Sequence, residues 1–187
     1  MSKVPLGDIS VLLTHLGRAS TPALPDGPFG VTMSHVMGTG VRPGSLGVVV
    51  VVGSSSLWRY LPHTDNYVHA VPGNLLNQVS EEGVTDLVVD VCAFDEGPWI
   101  GSDQGISRGL AEEIFEAGRL LRAAGKSVFY LPPSNRADGP DLPYIRSTCT
   151  IDLADVPALD LEEAAPQREV WNILRSFALR RLGDLGA

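Results

Sequence analysis

Four carboxylates crowd the end of one apolar run. In Thr85-Asp-Leu-Val-Val-Asp-Val-Cys-Ala-Phe-Asp-Glu-Gly-Pro-Trp-Ile-Gly101 and just beyond it stand Asp90, Asp95, Glu96 and Asp103. Carboxylates grouped this way can hold a hard cation or divide the roles of acid and base. Asp90, Asp95 and Glu96 are therefore the candidate catalytic residues. A second group, Gly53, Ser54, Ser55 and Ser56, follows the run Val48 to Val52 and offers hydroxyls and backbone amides to a phosphate or a sugar. Trp58 and Trp99 join it as candidate ligand-binding residues, because an indole beside a cleft stacks on a base or a sugar ring. Each feature also has a plainer reading. Asp-Glu-Gly-Pro and Gly-Ser-Ser-Ser are ordinary turns, and Trp58, Tyr60, Trp99 and Tyr144 can simply cover the rim of a core.

Several chemistries lack their motif. No Gly-x-Gly-x-x-Gly follows the first apolar run and no Gly-Lys-Ser/Thr occurs, while Gly38-Thr39-Gly40 has no strand before it or helix after it. His15, His35, His63 and His69 show no metal-ligand spacing, so no metal site and no cofactor are expected. Ser54 to Ser56 lack the Gly-x-Ser-x-Gly elbow of a serine hydrolase. Between Arg59 and Arg108 there is no Lys or Arg at all, whereas Asp65, Glu81, Glu82, Asp86, Asp90, Asp95, Glu96 and Asp103 lie there. Such a surface repels a diphosphate unless a metal ion or helix amides offset it.

The elements that position these residues alternate between the two periods of βαβ units. Val48 to Val52 is a β-branched run typical of a strand covered on both faces. Further strands are expected at Tyr67 to Val71, Asp86 to Cys92, Ser127 to Leu131 and Thr148 to Leu153. A helix carries Leu75, Leu76 and Val79 on one face and stops at Gly83. Another, capped by Ser102 or Asp103, carries Leu110, Ile114, Ala117 and Leu121 and ends at Gly125. A last helix begins at Pro166 with Val170, Ile173, Leu174 and Phe177 inward and Arg168, Arg175, Arg180 and Arg181 mostly outward. The expected fold is a single Rossmann-like α/β three-layer sandwich over residues 47–187, with a mostly parallel five-stranded sheet. Residues 1–46 form a separate region: a helix over Ile9 to Leu16 between Asp8 and Gly17, then a Gly/Pro-rich arm from Ser20 to Gly47 with a short strand at Gly30 to Met33. An irregular segment of that length usually binds something.

The 187 residues carry a net charge of −8 with a sequence pI near 4.9. That balance disfavours nucleic acid and anionic membrane as partners. No apolar run reaches the ~20 residues of a membrane helix, and no export signal is visible at the N-terminus, so the expected location is cytoplasmic. Cys92 and Cys149 are read as structural thiols, Cys92 in the middle of its strand. Arg-rich, Lys-poor usage with abundant Gly, Ala and Val points to a GC-rich bacterial source.

The block from Gly47 to Leu131 resembles the N-terminal domain of GT-B-type glycosyltransferase-like proteins related to the spore-maturation family. The resemblance is carried by Ser54 to Tyr60, by Val71-Pro72 with Leu75 to Val79, by Asp86-Leu-Val-Val-Asp90 with Gly97-Pro-Trp99-Ile-Gly101, and by Gly125 with Ser127 to Leu131. It covers a little under half of the chain. Members of that family carry a second, donor-binding domain for which this chain has no room. Asp90 stands where they tend to have Glu, and Leu131-Pro-Pro-Ser-Asn135 replaces an acidic segment of theirs. The helix Pro166 to Leu182 looks like their C-terminal helix.

Three functions follow as expectations. The first is a glycosyltransferase-like domain acting as a non-catalytic binding or assembly protein, meeting a protein partner or its own copies through the Ser20 to Gly47 arm. The second is a glycosyltransferase, or an acceptor-domain subunit completed by a partner, with Asp90, Asp95 or Glu96 as base or metal ligand. The third is a flavodoxin-like module for a small ligand, sugar or nucleotide, held at Ser54 to Ser56.

Overall fold

The computed structural model describes residues 46–133, 136–154 and 169–183. All of them belong to one compact unit, Met33–Ala187, and the unit Met1–Thr32 lies outside the described residues. The expected helix after Asp8, most of the Ser20 to Gly47 arm with its strand, the first turn at Pro166, and Arg168 likewise lie outside them.

The elements run β1 (Val48–Val52), α1 (Ser55–Tyr60), β2 (Tyr67–His69), α2 (Leu75–Ser80), β3 (Val84–Asp90), 3-10 turns at Val91–Phe94 and Gly97–Trp99, α3 (Arg108–Ala123), β4 (Ser127–Leu131), α4 (Leu142–Arg146), β5 (Ile151–Asp152) and α5 (Glu169–Gly183). The sheet has five strands in the order β2-β1-β3-β4-β5. Every pairing is parallel, which makes the expected mostly parallel sheet wholly so. This is the flavodoxin-like order of doubly wound sheets, whose topological switch point lies between β1 and β3.

Alternation along the strands explains the three layers. Val48, Val50, Val52, Leu87, Val89, Val128 and Tyr130 face α2, α3 and α4, where Leu75, Val79, Ile114, Ala117, Leu121 and Ile145 meet them. Val49, Val51, Val88, Phe129 and Leu131 face Leu57 of α1 and Val170, Trp171, Leu174 and Phe177 of α5. All five β1 valines are buried, as a strand covered on both faces requires.

Several boundaries differ from expectation for local reasons. β2 stops at His69 rather than Val71, because the Gln78 amide takes over as its partner: Nε2 donates to His69 O at 2.8 Å and Oε1 accepts from Val71 N at 2.9 Å. β3 starts two residues early and ends at Asp90, whose carboxylate accepts from Cys92 N at 3.2 Å and turns the chain into the 3-10 turn. Cys92 therefore sits in that turn, partly exposed, and not in a strand. α3 begins at Arg108, after Ser107, so Ser102 and Asp103 are not its caps. α1 and α4 stand where turns were expected. β5 is confined to Ile151–Asp152, and Leu76 stays 38% exposed while its neighbour Leu75 is buried.

Candidate functional site

Asp90 is the last residue of β3, at the carboxyl end of the sheet beside the switch point, and its side chain is 0% exposed. Its oxygens accept from Ser54 N at 3.3 Å, Ser54 Oγ at 2.5 Å and Cys92 N at 3.2 Å. Two guanidinium nitrogens of Arg181 add bonds of 2.8 and 3.2 Å. Arg181 comes from the last turn of α5, also donates to Pro132 O at 2.9 Å, and lies with its guanidinium carbon 4.6 Å from the centre of the Phe177 ring. Burial pulls the Arg181 guanidinium toward neutrality, but the hydrogen bond and charge of Asp90 outweigh it, so its pKa is raised. The pair is a buried, forked ion pair with every nearby lone pair in use.

Ser54 is the N-cap of α1: its Oγ accepts from Leu57 N at 3.3 Å and lies 2.8 Å from Ser56 Oγ. Glu96 reaches the same turn, accepting from Ser55 N at 2.6 Å and Ser55 Oγ at 3.1 Å. The amide and hydroxyl groups expected to meet a ligand anion thus hold carboxylates of the chain itself. Asp95 points elsewhere, to Arg136 at 3.2 Å. Arg136 also binds the fully buried Asp103 at 2.5 Å and Val91 O at 3.2 Å. Gly139 N donates to Asp103 as well, at 3.1 Å, and a Cβ at Gly139 would collide with that residue. The structure therefore brings Asp90, Ser54, Ser55, Ser56 and Glu96 together around the start of α1 and places Asp95 with Asp103 on Arg136.

The two tryptophans separate. Trp99 is 2% exposed, with its indole N–H donating to Ala70 O at 3.1 Å, so its ring belongs to the core. Trp58 is partly buried and stacks on His69, centroids 3.5 Å apart and planes 23° apart. Gly53 allows this approach, since a Cβ there would come within 3.0 Å of Trp58 Nε1 and 2.8 Å of a Val51 methyl. Partial covering of the ring, which stacks on Trp58 in an otherwise exposed residue, lowers the His69 pKa below its ordinary value. Folding therefore disfavours the charged ring, and the stability this gives is fully present above the unfolded pKa near 6.5 and is lost as pH falls through it toward the folded value. Chemical denaturation at pH 7.5 and 5.5 should show a smaller pH loss for His69→Gln than for the natural chain.

Two arginines escaped the sequence reading. Arg136 and Arg181 come from outside the base-free span and pair with three of its acids, Asp95, Asp103 and Asp90. Arg181, expected to point outward, points inward, and a signal for this exists: positions 170, 174, 177 and 181 follow the spacing of one inward stripe. Among the described residues, no group of three His, Cys, Asp or Glu side chains is arranged to hold a metal ion. No described helix is long and apolar enough to cross a membrane. An open groove of about 640 Å³ lies between the end of α1 and α5, lined by Tyr60, Pro62, Glu169, Asn172, Ile173 and Ser176, and none of the candidate residues lines it. No family model, curated protein or solved structure matches this chain.

Proposed function

We propose that this chain is a glycosyltransferase-like Rossmann domain acting as a non-catalytic binding or assembly protein of the cytoplasm. The observation that supports this reading is the state of Asp90. A carboxylate that accepts from Ser54, Cys92 and both terminal nitrogens of Arg181, with no exposed surface, has no lone pair left for a substrate proton or a metal. Glu96 is held on the α1 turn and Asp95 on Arg136, so the three candidate carboxylates serve the fold. Contacts with a partner or a second copy would then carry the function, the Ser20 to Gly47 arm among them. A second reading, a flavodoxin-like small-ligand module, draws on the strand order, which sets Ser54 to Ser56 at the switch point. Glu96 weighs against it by filling the place of an anion. The test is incubation of the full chain alone with UDP-glucose and GDP-mannose while nucleoside diphosphate release is followed. No release above the buffer rate is expected; steady turnover would overturn the proposal.

A further inference from the structure

We propose that the groove between α1 and α5 is a binding site for an organic cation, an ammonium or guanidinium group held against Tyr60 and Glu169. The inference rests on the binding reading above and names the chemistry of what is bound.

The groove lies away from the Asp90 cluster. α5 meets Asp90 through Arg181 in its last turn and carries Glu169 at its other end, about 18 Å along the helix. One wall of the groove is a stripe of α5, Glu169, Asn172, Ile173 and Ser176, at the i, i+3, i+4, i+7 spacing of a single helix face. This stripe runs beside the buried one of Val170, Leu174 and Phe177, so the core fixes its direction. Tyr60 and Pro62, at the end of α1 and just after it, complete the lining. The Tyr60 ring is backed by Phe177, with centroids 5.2 Å apart and planes at 48°. A ring held this way by the core loses little freedom on binding.

What the lining offers is mostly acceptors. Ser176 spends its proton on Asn172 O at 2.8 Å and keeps only lone pairs to give. Glu169 is a carboxylate, and no Lys or Arg lines the groove with it. Among the described residues, the side chains of Glu169 and Asn172 have no hydrogen-bond or ion-pair partner. The face of a tyrosine ring is negative and attracts a cation within about 6 Å of its centre. Ile173 and Pro62 add apolar surface for the methylene stem of an amine. The charge of Glu169 also reaches the Tyr67 phenol, whose pKa is raised by burial first and then by Glu169 and Asp86. A phosphate or a carboxylate would meet repulsion here with no base to offset it, and a neutral sugar would leave the Glu169 charge unanswered. A cation answers the carboxylate, the lone pairs and the ring together. The net charge of −8 favours its approach.

The test is saturation transfer from the full chain to spermidine and to a tetra-arginine peptide, each titrated to about 10 mM, the weak range expected of one exposed ion pair and one ring. Both should bind, and more weakly as salt rises from about 50 to about 300 mM. Glu169→Gln, a surface change that keeps the side chain's shape, should weaken binding about threefold, and Tyr60→Leu about twofold or more. Glu82→Gln, at an exposed acid outside the groove, should leave binding unchanged. Tighter binding of the peptide assigns the cation to a basic segment of a protein partner, and tighter binding of spermidine assigns it to a free amine; either supports the site. No transfer to either cation, binding indifferent to Glu169→Gln, or maltose bound as tightly as the amines would overturn the proposal. The two failures are distinguishable: nucleotide-sugar turnover removes the non-catalytic reading whatever the cations do, and absent cation binding removes this site while leaving that reading standing.

Discussion

Replacing Arg181 by alanine should lower the unfolding free energy by about 3–5 kcal/mol, measured by urea denaturation of the full chain. The size follows from what is left behind. Asp90 is 0% and Arg181 10% exposed, so the truncation strands a carboxylate that has no surface exposed to solvent and leaves Pro132 O without the Arg181 donor. It also removes the guanidinium from the face of Phe177. The neighbouring Arg180 is exposed, and Arg180→Ala should cost no more than about 0.5 kcal/mol. If Asp90 were instead a working base awaiting substrate, Arg181 would be a peripheral charge and both substitutions would be mild.

The second large effect is expected at Trp99. Trp99→Ala should cost about 3–5 kcal/mol through the cavity it opens between α2, α3 and the strand ends, as buried aromatic truncations do. Trp99→Phe keeps most of the apolar surface but orphans Ala70 O, and should cost about 1–3 kcal/mol. Both changes are read in the same denaturation experiment. A tryptophan held out for ligand stacking would show the opposite pattern, with stability unchanged. Trp58, partly buried and stacked on the exposed His69, should show the smaller loss on truncation of the two.

The contrast between these residues shows what a local pattern carries. β1 and β4 are legible because a parallel strand buried on both faces needs an unbroken apolar run, and Val48–Val52 and the last four residues of Ser127–Leu131 supply one. α1 is not legible: it spans six residues, buries only Leu57, and is held by the Ser54 cap and the distant Glu96 rather than by propensity. The end of β3 is blurred because Val91 and Cys92 continue the apolar run, while the Asp90 side chain turns the chain beneath them. Ser102 and Asp103 look like helix caps, yet their side chains are spent on Trp99 O and on Arg136. The candidate site divides in the same way. Its carboxylates and serines stand out as residue types at the end of a strand, which the βαβ pattern locates. Their partners do not, since Arg136 lies 33 residues from Asp103 and Arg181 lies 91 from Asp90. Only the fold joins them, although the inward stripe ending at Arg181 marks it as more than a solvated charge.

The central claim is that the Asp90 carboxylate belongs to Arg181. The measurement that tests it most directly is a double-mutant cycle on stability with Asp90→Asn, Arg181→Met and the double variant. The structure predicts a coupling of about 2 kcal/mol or more, with the double variant more stable than Arg181→Met alone because the stranded charge has gone. Additive effects, with a coupling near zero, would contradict it and return Asp90 to the list of groups free to act on a substrate.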